Sequence, residues 1–285
     1  MLGLVENTSN EFHTGPGVSC HDLRVLTEAT PMHLMAMRQA SAAGKAKDGD
    51  NVLRAAVRCA VLEPDDFPYR YALMPEGIDR RSKVGKELFA ETEAEGKTPL
   101  KPADYELVMG AAAALRANKA IRFILGVGGK VRHSFYWRDA EAGVVCKYRP
   151  NFLVEPCQTF PNGLILDFKP CDSARPEAFR DFASRAKYHM QAAFAPVGFQ
   201  QIFGTQEAPA MLFAAYETRA PFANKVYPAS ASQIALGSYK VREALALYAE
   251  CESRGQWPGY SEELTPLELA AWDSKELQDI QAAAA

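Results

Sequence analysis

The residues best suited to chemistry lie in GLILDFK at 163–169, where Asp167, Phe168 and Lys169 end an apolar run. On a strand, residues two apart point to the same sheet face, so Asp167 and Lys169 would project together. A charged pair in an otherwise apolar strand needs a reason. A strand running out to solvent is one reason; a site is the other. Upstream, Arg149-Pro150-Asn151 closes the preceding strand, and downstream Tyr188, His189 and Gln191 fall on a helix. An acid at the first position and an acid-x-Lys on the next strand would form a metal-dependent phosphodiesterase. The carboxylates hold Mg²⁺, the ion polarises the phosphate and activates a bound water, and the lysine orients that water or stabilises charge.

The elements that must position these residues follow from periodicity and turn signals. Residues 133–138 (HSFYWR), 143–149 (GVVCKYR), 163–169, 210–217 and 222–228 read as strands. Residues 51–62, with Asn51 as N-cap, 78–96, 103–119, 176–195 and 230–254 read as helices, the second entered through a basic loop. Residues 41–50 read as an exposed loop, and 126–129 as a turn between helix and sheet. The expected architecture is α/β with a mixed central sheet built mostly after residue 130. A helical part (1–122) packs around a sheet core (123–262), followed by an acidic, alanine-rich tail at 263–285.

Composition narrows the function. The 285 residues are 48% hydrophobic and 24% charged, with a net charge of −3. Any nucleic-acid role must therefore rest on a local patch rather than a general basic field. No apolar run reaches the roughly 20 residues of a membrane helix. The start, MLGLVENTSNEFH, lacks the basic and apolar regions of a secretory signal. Six scattered cysteines without a CxxC pair suit reduced thiols in a cytoplasmic protein. His13, His21 and His33 have no acid or cysteine at ligand spacing, and Trp137 and Trp257 suit a core.

The sequence resembles the exodeoxyribonuclease VIII (RecE-type) family of PD-(D/E)xK nucleases, found in phage and prophage recombination modules, over roughly residues 10–273. The pieces that carry the resemblance include EFH-TGPGVS, LEPDDF at 62–67, GIDRRSKVGKELF at 77–89 and SFYW-D at 134–139. They continue with GVVCKYRP at 143–150, LDFK at 166–169, PEAF at 176–179, YHMQAAF at 188–194 and WPGY at 257–260. The resemblance implies a restriction-endonuclease-like core and a Mg²⁺-dependent exonuclease that digests one strand of duplex DNA. It further implies a ring-like homo-oligomer working beside a single-strand annealing protein. Asp167 would be the metal-binding acid, with the Phe168 carbonyl able to face the metal. Lys169 would be the site lysine, and Tyr188 and Gln191 the supporting helix residues.

Three positions depart from the family pattern. Asn151 stands where the R-P-x motif ends in Asp, Arg58 where a His precedes the Glu of LEP, and Arg132 where an acid precedes Ser134. One expected carboxylate remains, Asp167, among added cations. Such a pocket should repel Mg²⁺, which prefers oxygen ligands, and accept phosphate, which arginine binds through paired donors. Glu155 and Asp172 stand close enough in sequence to be migrated acids. Arg80, Arg81, Lys83 and Lys86 form either a solvated face or a phosphate contact, and Lys147 and Arg149 should share the site's groove. Three functions stay open: a catalytically impaired, DNA-binding or assembling exonuclease-like protein, an active Mg²⁺-dependent exonuclease, and a protein-interaction module acting on a host or phage recombination or defence partner.

Overall fold

The computed structural model describes residues 2–42 and 52–284. Past Ala42, the expected loop lies outside the described residues, as does Asn51; Ser41 and Ala42 themselves end the helix Pro31–Ala42.

The strand Leu164–Cys171 organises the molecule. Its alternate residues Leu164, Leu166 and Phe168 pack into one core with the helices Val52–Leu62, Pro102–Ala117 and Lys119–Val127. Ile165 and Cys171 pack into a second core with the helices Cys20–Glu28, Tyr188–Phe203 and Ala231–Arg254. A strand covered on both faces reads as a continuous apolar run rather than an alternation. Asp167 and Lys169 share the parity of Ile165 and Cys171, so they enter the second layer as polar interruptions.

The strand belongs to a five-stranded sheet ordered Asn224–Pro228, Ala210–Glu217, Leu164–Cys171, Phe152–Val154, Lys130–Val131. It runs parallel to Ala210–Glu217 and antiparallel to Phe152–Val154. The parallel pair requires a crossover, which the helices Pro176–Arg185 and Tyr188–Phe203 provide. The single helix expected over 176–195 is thus two. Lys187 adopts a left-handed conformation (φ 56°) between them, which redirects the chain so that Tyr188 and Gln191 return over the strand.

A second sheet, ordered Gly3–Glu6, His133–Arg138, Val145–Tyr148, Val18–Ser19, meets the first at a corner. The chain crosses the corner twice, at Arg132 and at Arg149-Pro150-Asn151. The crossings are tied together: the Arg132 amide donates to the Asn151 carbonyl (3.1 Å), and Arg149 Nε donates to the Arg132 carbonyl (2.9 Å). Arg132 has φ 52°, a left-handed value that lets one residue turn the chain between sheets. The strands Gly3–Glu6 and Val18–Ser19 lie in the part expected to be helical. They are too short to show a pattern and form by pairing with later strands. The tail carries an exposed helix, Ala271–Ala284.

Candidate functional site

Asp167, Asn151 and Lys169 converge at the corner. The Asn151 amide N–H donates to Asp167 Oδ1 (2.9 Å), and the Phe168 amide donates to Asn151 Oδ1 (2.8 Å). This reciprocal clamp fixes the Asn151 side chain against the strand carrying the acid. Asp167 Oδ2 accepts from the Tyr148 hydroxyl (2.5 Å) and from Lys169 Nζ (3.2 Å). Lys169 Nζ also donates to Gln191 Oε1 (2.7 Å) and stands 4.6 Å from the centre of the Tyr188 ring. The supporting helix residues are therefore in contact with the lysine. Burial, with the Asp167 charge beside it, raises the Tyr148 hydroxyl well above the usual tyrosine range, so it stays a donor.

These residues border a cavity of about 490 Å³ that Phe168, Arg58, Arg132 and Arg149 also line. Arg58 is buried, reaching the cavity from the helix Val52–Leu62. Arg24, Arg54, His13, His21 and Phe182 also line it and are not expected there from the sequence. No sequence signal marks them, because they come from four separate helices that meet only on folding. Burial and the neighbouring Arg24 hold the His21 imidazole below its ordinary range.

The other expected contacts lie elsewhere. Lys147 does not share the groove: it is 3% exposed and its Nζ donates to the carbonyls of Phe12 (2.7 Å) and Gly15 (2.6 Å). The alternation that relates it to Arg149 ends where the chain leaves the sheet at Arg149. Tyr148 takes the face turned to Asp167 instead. Arg80, Arg81, Lys83 and Lys86 are exposed around the start of the helix Lys83–Ala94 and do not line this cavity. Arg80 pairs with Glu93 (3.3 Å) and Lys83 with Glu87 (4.0 Å).

Mg²⁺, which the fold implies, does not fit this donor set. Six lysine or arginine side chains and one carboxylate line the cavity. Both oxygens of that carboxylate already accept hydrogen bonds. Glu155 pairs with Lys130 (3.7 Å), and Asp172 lines a neighbouring cavity with Arg54 and Tyr216. Among the described residues no cluster of three or more His, Cys, Asp or Glu side chains could hold a metal ion. The electrostatic balance favours an anion, and arginine forks match phosphate oxygens.

Comparison with known proteins agrees with this geometry at the level of fold. A crystal structure from Eubacterium rectale, provisionally described as an exonuclease, superposes with a TM-score of 0.60 at 10% identity. The match covers 95% of this chain and 98% of that one. No curated protein matches the sequence. The mixed sheet, the crossover helix and the clamped Asp167-x-Lys169 strand make a restriction-endonuclease-like fold. A family profile covers residues 22–268, and the chain belongs to that family, the PDDEXK-like domain of unknown function DUF3799.

Proposed function

We propose that this chain is a RecE-type exonuclease-like protein of a phage or prophage DNA recombination module that no longer cleaves DNA. It acts by binding duplex DNA through phosphate or by assembling, as a homo-oligomer, beside a single-strand annealing protein. The observation that carries the reading is the cavity lined by six lysine or arginine side chains around a single carboxylate. Arg58 and Arg132 stand where the resemblance implies groups suited to a metal, and both line the cavity that Asp167 enters.

Calorimetric titration with Mg²⁺ and Mn²⁺, alongside a nuclease assay on linear duplex DNA, tests this reading. The expected result is no metal binding and no release of nucleotides. Mg²⁺-dependent release abolished by Asp167→Ala would overturn it in favour of an active exonuclease. The triple variant Arg58→His, Arg132→Glu, Asn151→Asp shifts the pocket by about four charge units toward negative. At an effective dielectric of about 20, each unit charge roughly 4 Å from the ion counts for several kcal/mol before desolvation. The variant should therefore bind Mg²⁺ where the parent does not.

A further inference from the structure

The cations lining the cavity that Asp167 enters are of two kinds. Inner ones are committed within the protein: Lys169 pairs with Asp167, and Arg149 donates to the main-chain carbonyls of Arg132 and Asn7. Two others stand toward solvent, Arg54 exposed and Arg24 half-buried. Arg24 Nη2 lies 3.2 Å from His21 Nδ1, and Arg24 Nε is buried without a hydrogen-bond partner among the described residues. A guanidinium can only donate. The contact therefore requires a lone pair on His21 Nδ1, which makes the imidazole neutral with its proton on Nε2.

We infer that His21 and Arg24 form a proton-coupled subsite for a backbone phosphate of duplex DNA, in which the imidazole takes up a proton as the phosphate binds. This rests on the phosphate-binding reading above and deepens it, naming solvent-facing groups that a duplex can reach without entering the cavity. Protonation of Nδ1 would set two donors and two positive charges 3.2 Å apart, so the free protein resists it. A phosphate oxygen accepts from both and removes the conflict. The carboxylates on the same helix are held elsewhere: Asp22 by Arg38 (3.0 Å) and the Ser19 amide (2.8 Å), Glu28 beside Arg24 Nε (3.7 Å). His13 faces His21 from the helix Ser9–Thr14. Across the cavity stand Arg54, Arg58, Arg132, Arg149, the Asp167–Lys169 pair and the hydroxyls of Tyr148 and Tyr188. The only anion among these is already paired. Desolvation and the Arg24 charge hold the free imidazole below its ordinary range, and a bound phosphate raises it. The complex then carries a proton that the free protein lacks, so affinity rises as pH falls.

Fluorescence anisotropy on the full chain, with a labelled hairpin duplex lacking terminal phosphates, tests the inference. Internal phosphodiesters keep a constant charge over the range used, so only protein groups titrate. Affinity should rise about tenfold or more from about pH 8 to about pH 5.5, with log K against pH approaching a slope of about −1. The chain has five histidines, and its overall charge also becomes more positive in acid, so the comparison between variants decides. His21→Gln, which cannot take up the proton, should lose most of the slope. His33→Gln, whose ring contacts Thr30 and Tyr260 away from the cavity, should keep it. Proton NMR of the His21 imidazole reads the coupling directly and reports folding. Sulfate, a tetrahedral anion of constant charge here, should raise its titration midpoint by about half a unit or more. Arg24→Gln should raise the midpoint without sulfate, toward the ordinary 6.5; an arginine with a merely structural role would leave it in place. An equal slope in the parent and His21→Gln, or a midpoint unmoved by sulfate, would overturn the proton coupling while leaving the phosphate reading standing. Absence of duplex binding at every pH would overturn both.

Discussion

Lys147 and Lys169 are both buried, 3% and 8% exposed, and each lies on a strand beside the corner between the sheets. They do opposite things. Lys147 closes on two main-chain carbonyls at the end of the helix Ser9–Thr14, where carbonyls carry partial negative charge. It meets no carboxylate, and burial pushes its ammonium down to about 8. Lys169 has a carboxylate at 3.2 Å, an amide oxygen at 2.7 Å, and a cavity in front of it. A buried lysine is thus not a site by virtue of burial. It becomes one when a paired anion holds the charge and the surrounding chain leaves room for a ligand.

The largest expected effect is on the pair that borders the cavity. Asp167→Ala strands the Lys169 ammonium and removes the acceptor of the Tyr148 hydroxyl. Breaking one side of a buried ion pair costs about 3–5 kcal/mol, readable by chemical denaturation. The double change Asp167→Ala, Lys169→Met should recover part of that loss. If Asp167→Ala were as stable as the parent, the contrast between the lysines would collapse.

Lys147 should show a smaller loss with a distinct pH signature. Lys147→Met leaves the carbonyls of Phe12 and Gly15 without their donor, at about 2 kcal/mol near neutral pH. In the folded protein this ammonium titrates at about 8, and in the unfolded chain near about 10.4. Between those values the unfolded chain holds a proton that the folded protein has released, so this group's contribution to stability rises with pH. The parent-minus-variant difference in unfolding free energy should therefore climb from pH 8 to about 10.4, by up to about 3 kcal/mol. Subtraction cancels the titrations common to both proteins. A flat difference would show that the Lys147 site is not desolvated. Affinity for duplex DNA at neutral pH should be unchanged, because Lys147 does not line the cavity that Asp167 enters.

The sequence carried the Lys169 side of this contrast better than the Lys147 side. Strand parity placed Asp167 with Lys169, a local relation, while the roles of Gln191 and Tyr188 followed from the family resemblance, and the crossover helix is what brings them over the strand. Parity also grouped Lys147 with Arg149, yet the chain turns out of the sheet at Arg149, and no periodicity records where a strand stops pairing. The partners of Lys147 lie more than 130 positions away. Tyr148 escapes for a different reason: it reads as an apolar strand residue, and only the fold shows its hydroxyl on Asp167. The break at Lys187 has neither glycine nor proline to announce it. Arg24 and Arg54 reach the cavity from helices that approach it only in the packed molecule.

The smallest expected effect on stability sits at the corner itself and separates the backbone role of Arg132 from its charge. Arg132 holds φ 52°, where a side chain is strained and glycine is not. Its amide and carbonyl tie the two crossings together, and both are main-chain groups that any residue retains. Arg132→Gly relieves strain of order 1 kcal/mol and loosens the unfolded chain by a similar amount, roughly 0.5–1 kcal/mol. Stability should stay within about 1 kcal/mol of the parent. Arg132→Ala removes the same charge but keeps the strained backbone, so it should be the less stable of the two by about 1 kcal/mol. Both should weaken binding to duplex DNA equally, with a salt slope shallower by about 0.9, the mark of one phosphate contact on a duplex. Denaturation curves and anisotropy titrations on the same preparations read the two quantities separately. If both variants lost several kcal/mol and the glycine variant showed no advantage, the Arg132 side chain would be holding the corner as Lys147 holds its helix, and it would belong with the structural lysine rather than with the cavity.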